Sequence, residues 1–131
     1  MDGQLKGFID DEPNEILIDA YHDTANMQII ITKPIMNYPE PIEEITENST
    51  LFLQQSEIII NDLEHPQAKN FILGNSLGIF KKTIEKNGRT YSILKMSEKK
   101  LKELDPVGYQ QYIDLFALKQ YNINNNVNIK A

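Results

Sequence analysis

The amino-acid sequence predicts an α+β fold: a mainly antiparallel sheet built from hairpins, with a short central helix and two C-terminal helices packed on it. Three observations carry this expectation. Nineteen of 131 residues are isoleucine, a side chain that is stiff at χ1 and packs well on a pleated surface. Asn87-Gly88 separates two runs of strand character, and this dipeptide supplies the two positive φ values of a type I′ hairpin turn. Near the end, Tyr109, Tyr112, Ile113 and Phe116 recur at helical spacing and form one stripe. The length fits one domain, 1–131, with an acidic strand-rich half (1–66) and a basic hairpin-helix half (67–131).

Taken in order, residues 4–10 and 15–22 read as two short strands around the turn-forming Asp11-Glu12-Pro13-Asn14, a first hairpin. MQIIITKPI follows, and its run Ile29-Ile30-Ile31 is apolar on both faces, as expected of a central strand covered twice. Pro34 is expected to end its pairing. Residues 34–49 hold Pro34, Pro39 and Pro41 and then Glu43, Glu44 and Glu47, the pattern of an extended acidic loop. Residues 49–61 regain strand character, interrupted at Gln54-Gln55-Ser56 by either a bulge or a turn.

His65-Pro66 opens a short helix to about Leu73, stopped by Gly74-Asn75. In the Asn87-Gly88 hairpin, Ile84 should face Tyr91, Lys82 Ile93 and Phe80 Lys95. Ser97 caps one helix, SEKKLKEL, and Asp105-Pro106 a second, since a short acceptor side chain followed by proline suits a helix start. Leu118 lies nearly opposite the aromatic stripe, which with Tyr121 leaves room for a homodimer contact. The asparagine-rich tail, 122–131, should fray or add an edge strand.

The absence of cysteine excludes a disulfide framework, a thiolate metal site and a cysteine nucleophile. No nucleophile elbow, Walker-type loop or dinucleotide glycine pattern occurs, so no cofactor is expected. No apolar run has signal-peptide or membrane-spanning length, which gives an expected cytoplasmic location without a membrane partner. An isoleucine-, asparagine- and lysine-rich composition is compatible with an accessory protein of a virus or mobile element.

Charge is the most informative feature. The net charge of −6 is the resultant of about −12 over residues 1–66 and +6 over 67–131, an asymmetry that points to charged partners. The first reading is a non-enzymatic interaction protein, a homodimer that engages another macromolecule through its acidic loops, with Glu43, Glu44 and Glu47, or through its basic hairpin. The alternative is nucleic-acid binding by Lys81, Lys82, Lys86, Arg89, Tyr91, Lys95, Lys99, Lys100 and Lys102, lysines on a hairpin and helix with aromatic rings beside them. The third is a metal-assisted enzyme built from His22 with Asp19 and Asp23, and His65 with Asp62 and Glu64.

Overall fold

The computed structural model describes residues 14–35, 38–51 and 53–129, and the expected strand 4–10 lies outside them. The fold is α+β. Two three-stranded antiparallel sheets, ordered β1-β2-β3 and β4-β6-β5, are accompanied by three helices.

The first sheet comprises β1 (Glu15–Ala20), β2 (Met27–Ile35) and β3 (Tyr38–Glu44). In β1 the side chains alternate strictly: Ile16, Ile18 and Ala20 are buried while Leu17 and Asp19 are exposed. This period of two presses one apolar face inward. Strand β2 is central, as expected, with Met27, Ile29 and Ile31 in the core, but Ile30 on its other face is only half-buried. The segment expected to be an acidic loop is strand β3. Its register runs from Ile30↔Glu44 to Ile35↔Tyr38, through Pro34↔Pro39, so Pro34 does not end the pairing. Pro39 and Pro41 are tolerated because β3 lies at the edge of the sheet and is irregular, with Ile31 facing Glu43 and Thr32 facing Pro41. Ile42, the extra residue of that bulge, packs on the core.

The second sheet comprises β4 (Glu57–Asn61), β5 (Gly78–Lys86) and β6 (Arg89–Met96). Strand character begins only at Glu57. Gln54–Glu57 is a turn, closed by the Glu57 N–H on the Gln54 carbonyl at 3.0 Å, with Ser56 at φ 66°. All of β4 is buried: Ile58 and Ile60 enter the main core, and Ile59 enters a second cluster with Leu53, Tyr91 and Ile93. The β5–β6 turn has Asn87 at φ 56° and Gly88 at φ 76°, the type I′ geometry. Ile84↔Tyr91 and Lys82↔Ile93 stand as expected. Phe80 faces Leu94 instead of Lys95, because a bulge inserts Lys81 and shifts every pair beyond it by one residue.

Helix α1 (Ala68–Gly74) begins two residues after Pro66, and α2 (Glu98–Leu104) is capped by Ser97, whose side chain accepts from the Lys100 N–H at 3.3 Å. Helix α3 (Pro106–Ile129) runs through the segment expected to fray or to form an edge strand, so residues up to Ile129 are helical. It packs on β1.

The start of α3 joins the two sheets. Asp105 accepts from the Gly108 N–H (3.1 Å) with one carboxylate oxygen, capping the helix, and from the Ile18 N–H of edge strand β1 (2.9 Å) with the other. Gly108 is required by this contact. A Cβ at that position would stand 2.2 Å from the Ile18 carbonyl oxygen and 2.4 Å from the Asp105 carboxylate. Two helical turns cover the rest of the distance. Tyr112 Oη receives the Ser56 N–H at 2.7 Å, and Tyr109 Oη shares a hydrogen bond of 2.9 Å with Ser56 Oγ, at the entrance to β4. Ser56 Oγ and Gln55 Nε2 both donate to Glu98 Oε2, at 3.2 and 3.1 Å. Burial raises both tyrosine phenols above their ordinary value.

Two outcomes are expected. Gly108→Ala should destabilise the protein by about 2 kcal/mol or more, since backbone must move to admit the methyl, and Asp105→Ala by ~1–3 kcal/mol, through the loss of a cap and of an edge-strand acceptor. Urea unfolding at unchanged m-value measures both. For the phenols, a folded-state value raised above the ordinary 10.0 gives stability that is present below that pH and lost as pH rises past it. Tyrosinate absorbance in an alkaline titration should therefore show Tyr109 and Tyr112 ionising only as the protein unfolds.

Candidate functional site

The structure separates the two charged sets by what their side chains touch. The three acids are engaged within the molecule. Glu43 contacts His65 Nδ1, Glu44 accepts from the Tyr21 hydroxyl and from Gln28 Nε2 (3.0 Å), and Glu47 accepts from Asn61 Nδ2 at 3.4 Å. Adjacent residues of a strand point to opposite faces, so Glu43 and Glu44 do not share a surface. Burial raises the Tyr21 phenol strongly, and the Glu44 carboxylate adds to the effect.

Of the basic residues, three are tied down. Lys81, the bulge residue, reaches across β6 to Glu57 on β4, Nζ to Oε2 at 2.6 Å. Lys95 donates to the Gln55 carbonyl at 2.6 Å and stands 4.0 Å from Glu98. Arg89 pairs with Glu64 at 3.1 Å, both half-exposed, a geometry that contributes little to stability. Glu57 is nearly buried, and burial on its own would raise its carboxyl. The Lys81 ammonium and the Gln54 N–H (2.8 Å) outweigh that and hold it below the ordinary carboxylate value.

The remaining lysines, Lys82, Lys86, Lys99, Lys100 and Lys102, are exposed on β5 and α2. Tyr91, expected to offer a ring for stacking, is instead 8% exposed and packed with Leu53, Ile59 and Ile93. The exposed aromatic ring on this hairpin is Phe80, 43% accessible with Lys69 Nζ 4.9 Å above it. Sequence reasoning paired Phe80 with Lys95 and so put it on the wrong face; the bulge at Lys81 is the cause, and no residue type in FKK announces it.

Among the described residues, three depressions can be traced. One of about 360 Å³ lies at the base of the hairpin, between Leu73 and Ser76 after α1, Gly78 and Ile79 of β5, and Lys95, Met96 and Ser97. A second of about 220 Å³, between the 47–51 loop and the hairpin turn, is lined mainly by polar groups, among them Glu47, Asn48, Lys86 and Asn87. The third, about 400 Å³, lies between the β1–β2 turn and the second half of α3, with His22 and Asp23 on one wall and Leu118 on the other. Asp23 is held there by Asn48 Nδ2 at 3.0 Å, which lowers its carboxyl below the ordinary value. Asp19 accepts from the Ala20 N–H and does not line this groove. His65 is engaged with Glu43. Among the described residues, no three metal-binding side chains converge, and no helix is long and apolar enough to cross a membrane.

Comparison with known proteins finds no matching family model, no matching curated protein and no matching solved structure.

Because the folded-state Glu57 carboxyl lies below its ordinary value of 4.5, its contribution is present above that pH and lost as pH falls through and below it. Glu57→Gln should lower stability at neutral pH by ~1 kcal/mol and flatten the acid limb of the stability profile. Urea midpoints from neutral pH into the acid range check this; an acid limb of unchanged slope would show that other carboxylates set it.

Proposed function

We propose that the chain is a non-enzymatic binding protein whose β5–β6 hairpin and α2 engage an anionic macromolecule. One observation carries the reading: the lysines at 82, 86, 99, 100 and 102 are exposed on the basic half, whereas Glu43, Glu44 and Glu47 are spent on internal partners. A charge left in water is free to trade its hydration and counterions for a partner, and a one-signed patch raises the encounter rate with an opposite one. The same distribution favours the basic half over the acidic segment, where Glu43, Glu44 and Glu47 bond to neighbours within the molecule.

Nucleic acid is the second reading, favoured by the exposed Phe80 ring beside lysines, an arrangement able to stack a base near a phosphate. The chain's single arginine and its net charge of −6 weigh on the other side, since arginine is the residue suited to bidentate phosphate contact.

Reversal of Lys82, Lys99 and Lys100 to glutamate should abolish salt-sensitive binding to poly-glutamate and to single- and double-stranded oligonucleotides alike, with the fold intact by circular dichroism. Glu43→Gln, Glu44→Gln and Glu47→Gln together should leave binding unchanged while lowering the unfolding midpoint. Binding that survives the lysine reversals, or that depends on the three acids, would refute the assignment.

A further inference from the structure

The depression at the base of the hairpin is apolar where the surface around it is cationic. Ile79 is 66% exposed and Leu73 37% exposed on its walls, and Met96, in register with Gly78, is 1% exposed within its lining. Gly78 keeps β5 and β6 close at this point: a Cβ there would stand 2.7 Å from the Lys95 carbonyl oxygen. Lys95 is on the wall, Lys99 and Lys100 lie in the first turn of α2 after Ser97, and Glu98 is the acid of that turn. Residues 67–104 as a whole carry nine basic groups against three acidic ones.

We infer that this groove seats an acidic protein segment that inserts an aliphatic side chain between Leu73 and Ile79 and lays its carboxylates toward the lysines of β5 and α2. The inference rests on the reading of the basic half as an anion-binding surface, and names which anionic partner it takes. Charge complementarity selects an acidic partner, and the aliphatic lining selects protein over nucleic acid. Leu73, Ile79 and Met96 present no flat π-surface to a base, whereas a leucine or isoleucine side chain fits a groove of about 360 Å³ with room for flanking backbone. The partner's apolar anchor would supply affinity, and its carboxylates encounter rate and orientation. A second copy of this chain is a poorer occupant, since the acids Glu43, Glu44 and Glu47 are committed to internal partners.

The test uses a short fluorescent peptide alternating acidic residues with leucine, the same peptide with serine at each leucine, and an oligonucleotide. Each is titrated against the wild-type protein, Ile79→Glu, Leu73→Ser and the Lys82, Lys99, Lys100 reversal, with molar mass by light scattering recorded alongside. Ile79 and Leu73 are exposed, so these substitutions should leave folding intact. The inference expects the leucine peptide to bind a monomer, the serine peptide to bind at least tenfold more weakly, and Ile79→Glu to cost the leucine peptide tenfold or more. Equal binding of both peptides, indifference to Ile79→Glu with lysine dependence retained, or preference for the oligonucleotide would overturn the groove while leaving the cationic surface standing. A dimer dispersed by Ile79→Glu would overturn it in favour of self-association. No lysine-dependent binding of any probe would remove both readings.

Discussion

The structure depends on the first two turns of α3, where one short segment holds both sheets. Asp105 caps the helix and supplies an acceptor to the β1 backbone, and Gly108 lets the helix approach that strand without a side chain between them. One and four positions further on, Tyr109 and Tyr112 hydrogen-bond Ser56 at the head of β4. Their rings, 6.0 Å apart, are almost fully buried with the isoleucines of both sheets. Each element of this junction is costly to leave half-made: an unpaired Ser56 N–H or Ile18 N–H would cost about 1–3 kcal/mol, and the tyrosine hydroxyls need partners once buried. The result fixes β4, and through its register with β6 it fixes the hairpin.

That placement separates the charges into two kinds. In the acidic half, Tyr21 and Gln28 beside Glu44, His65 beside Glu43 and Asn61 beside Glu47 put donors within reach, so the three acids act as structural acceptors. On the outer strand of the second sheet, Lys82 and Lys86 stand exposed. Most of β5 is exposed, and Lys82 and Lys86 extend into solvent, where a lysine also discourages edge-to-edge pairing. The bulge at Lys81 serves the same end, twisting the edge while turning one lysine inward to neutralise buried Glu57. The proposed binding and the protection of an edge strand thus rest on the same residues.

Much of this was legible in the sequence because it was local. Asn87-Gly88, Ser97 and Asp105-Pro106 each encode a turn or cap within four residues, and the stripe Tyr109, Tyr112, Phe116 follows from helical period alone. What was not legible depended on pairing across distance. Pro39 and Pro41 signal a loop unless the strand is known to be an edge, and edge position is a property of the sheet. The bulge that moves Phe80 to the other face costs one residue of register and leaves no compositional trace. The internal use of Glu43, Glu44 and Glu47 by His65, Tyr21 and Asn61 joins positions 14 to 23 residues apart. The second carboxylate contact of Asp105, 87 residues away at Ile18, has no sequence signal, although its capping role has a strong one.

The proposed binding surface is the basic hairpin with α2, held in place by the α3 junction. Amide chemical shifts of the isotopically labelled protein, followed while poly-glutamate is added at low salt, test it most directly. Changes confined to the end of α1, β5, β6 and the start of α2, reversed by added salt, are expected. Changes centred on β3 and the 45–51 loop, or on the second half of α3, would contradict it.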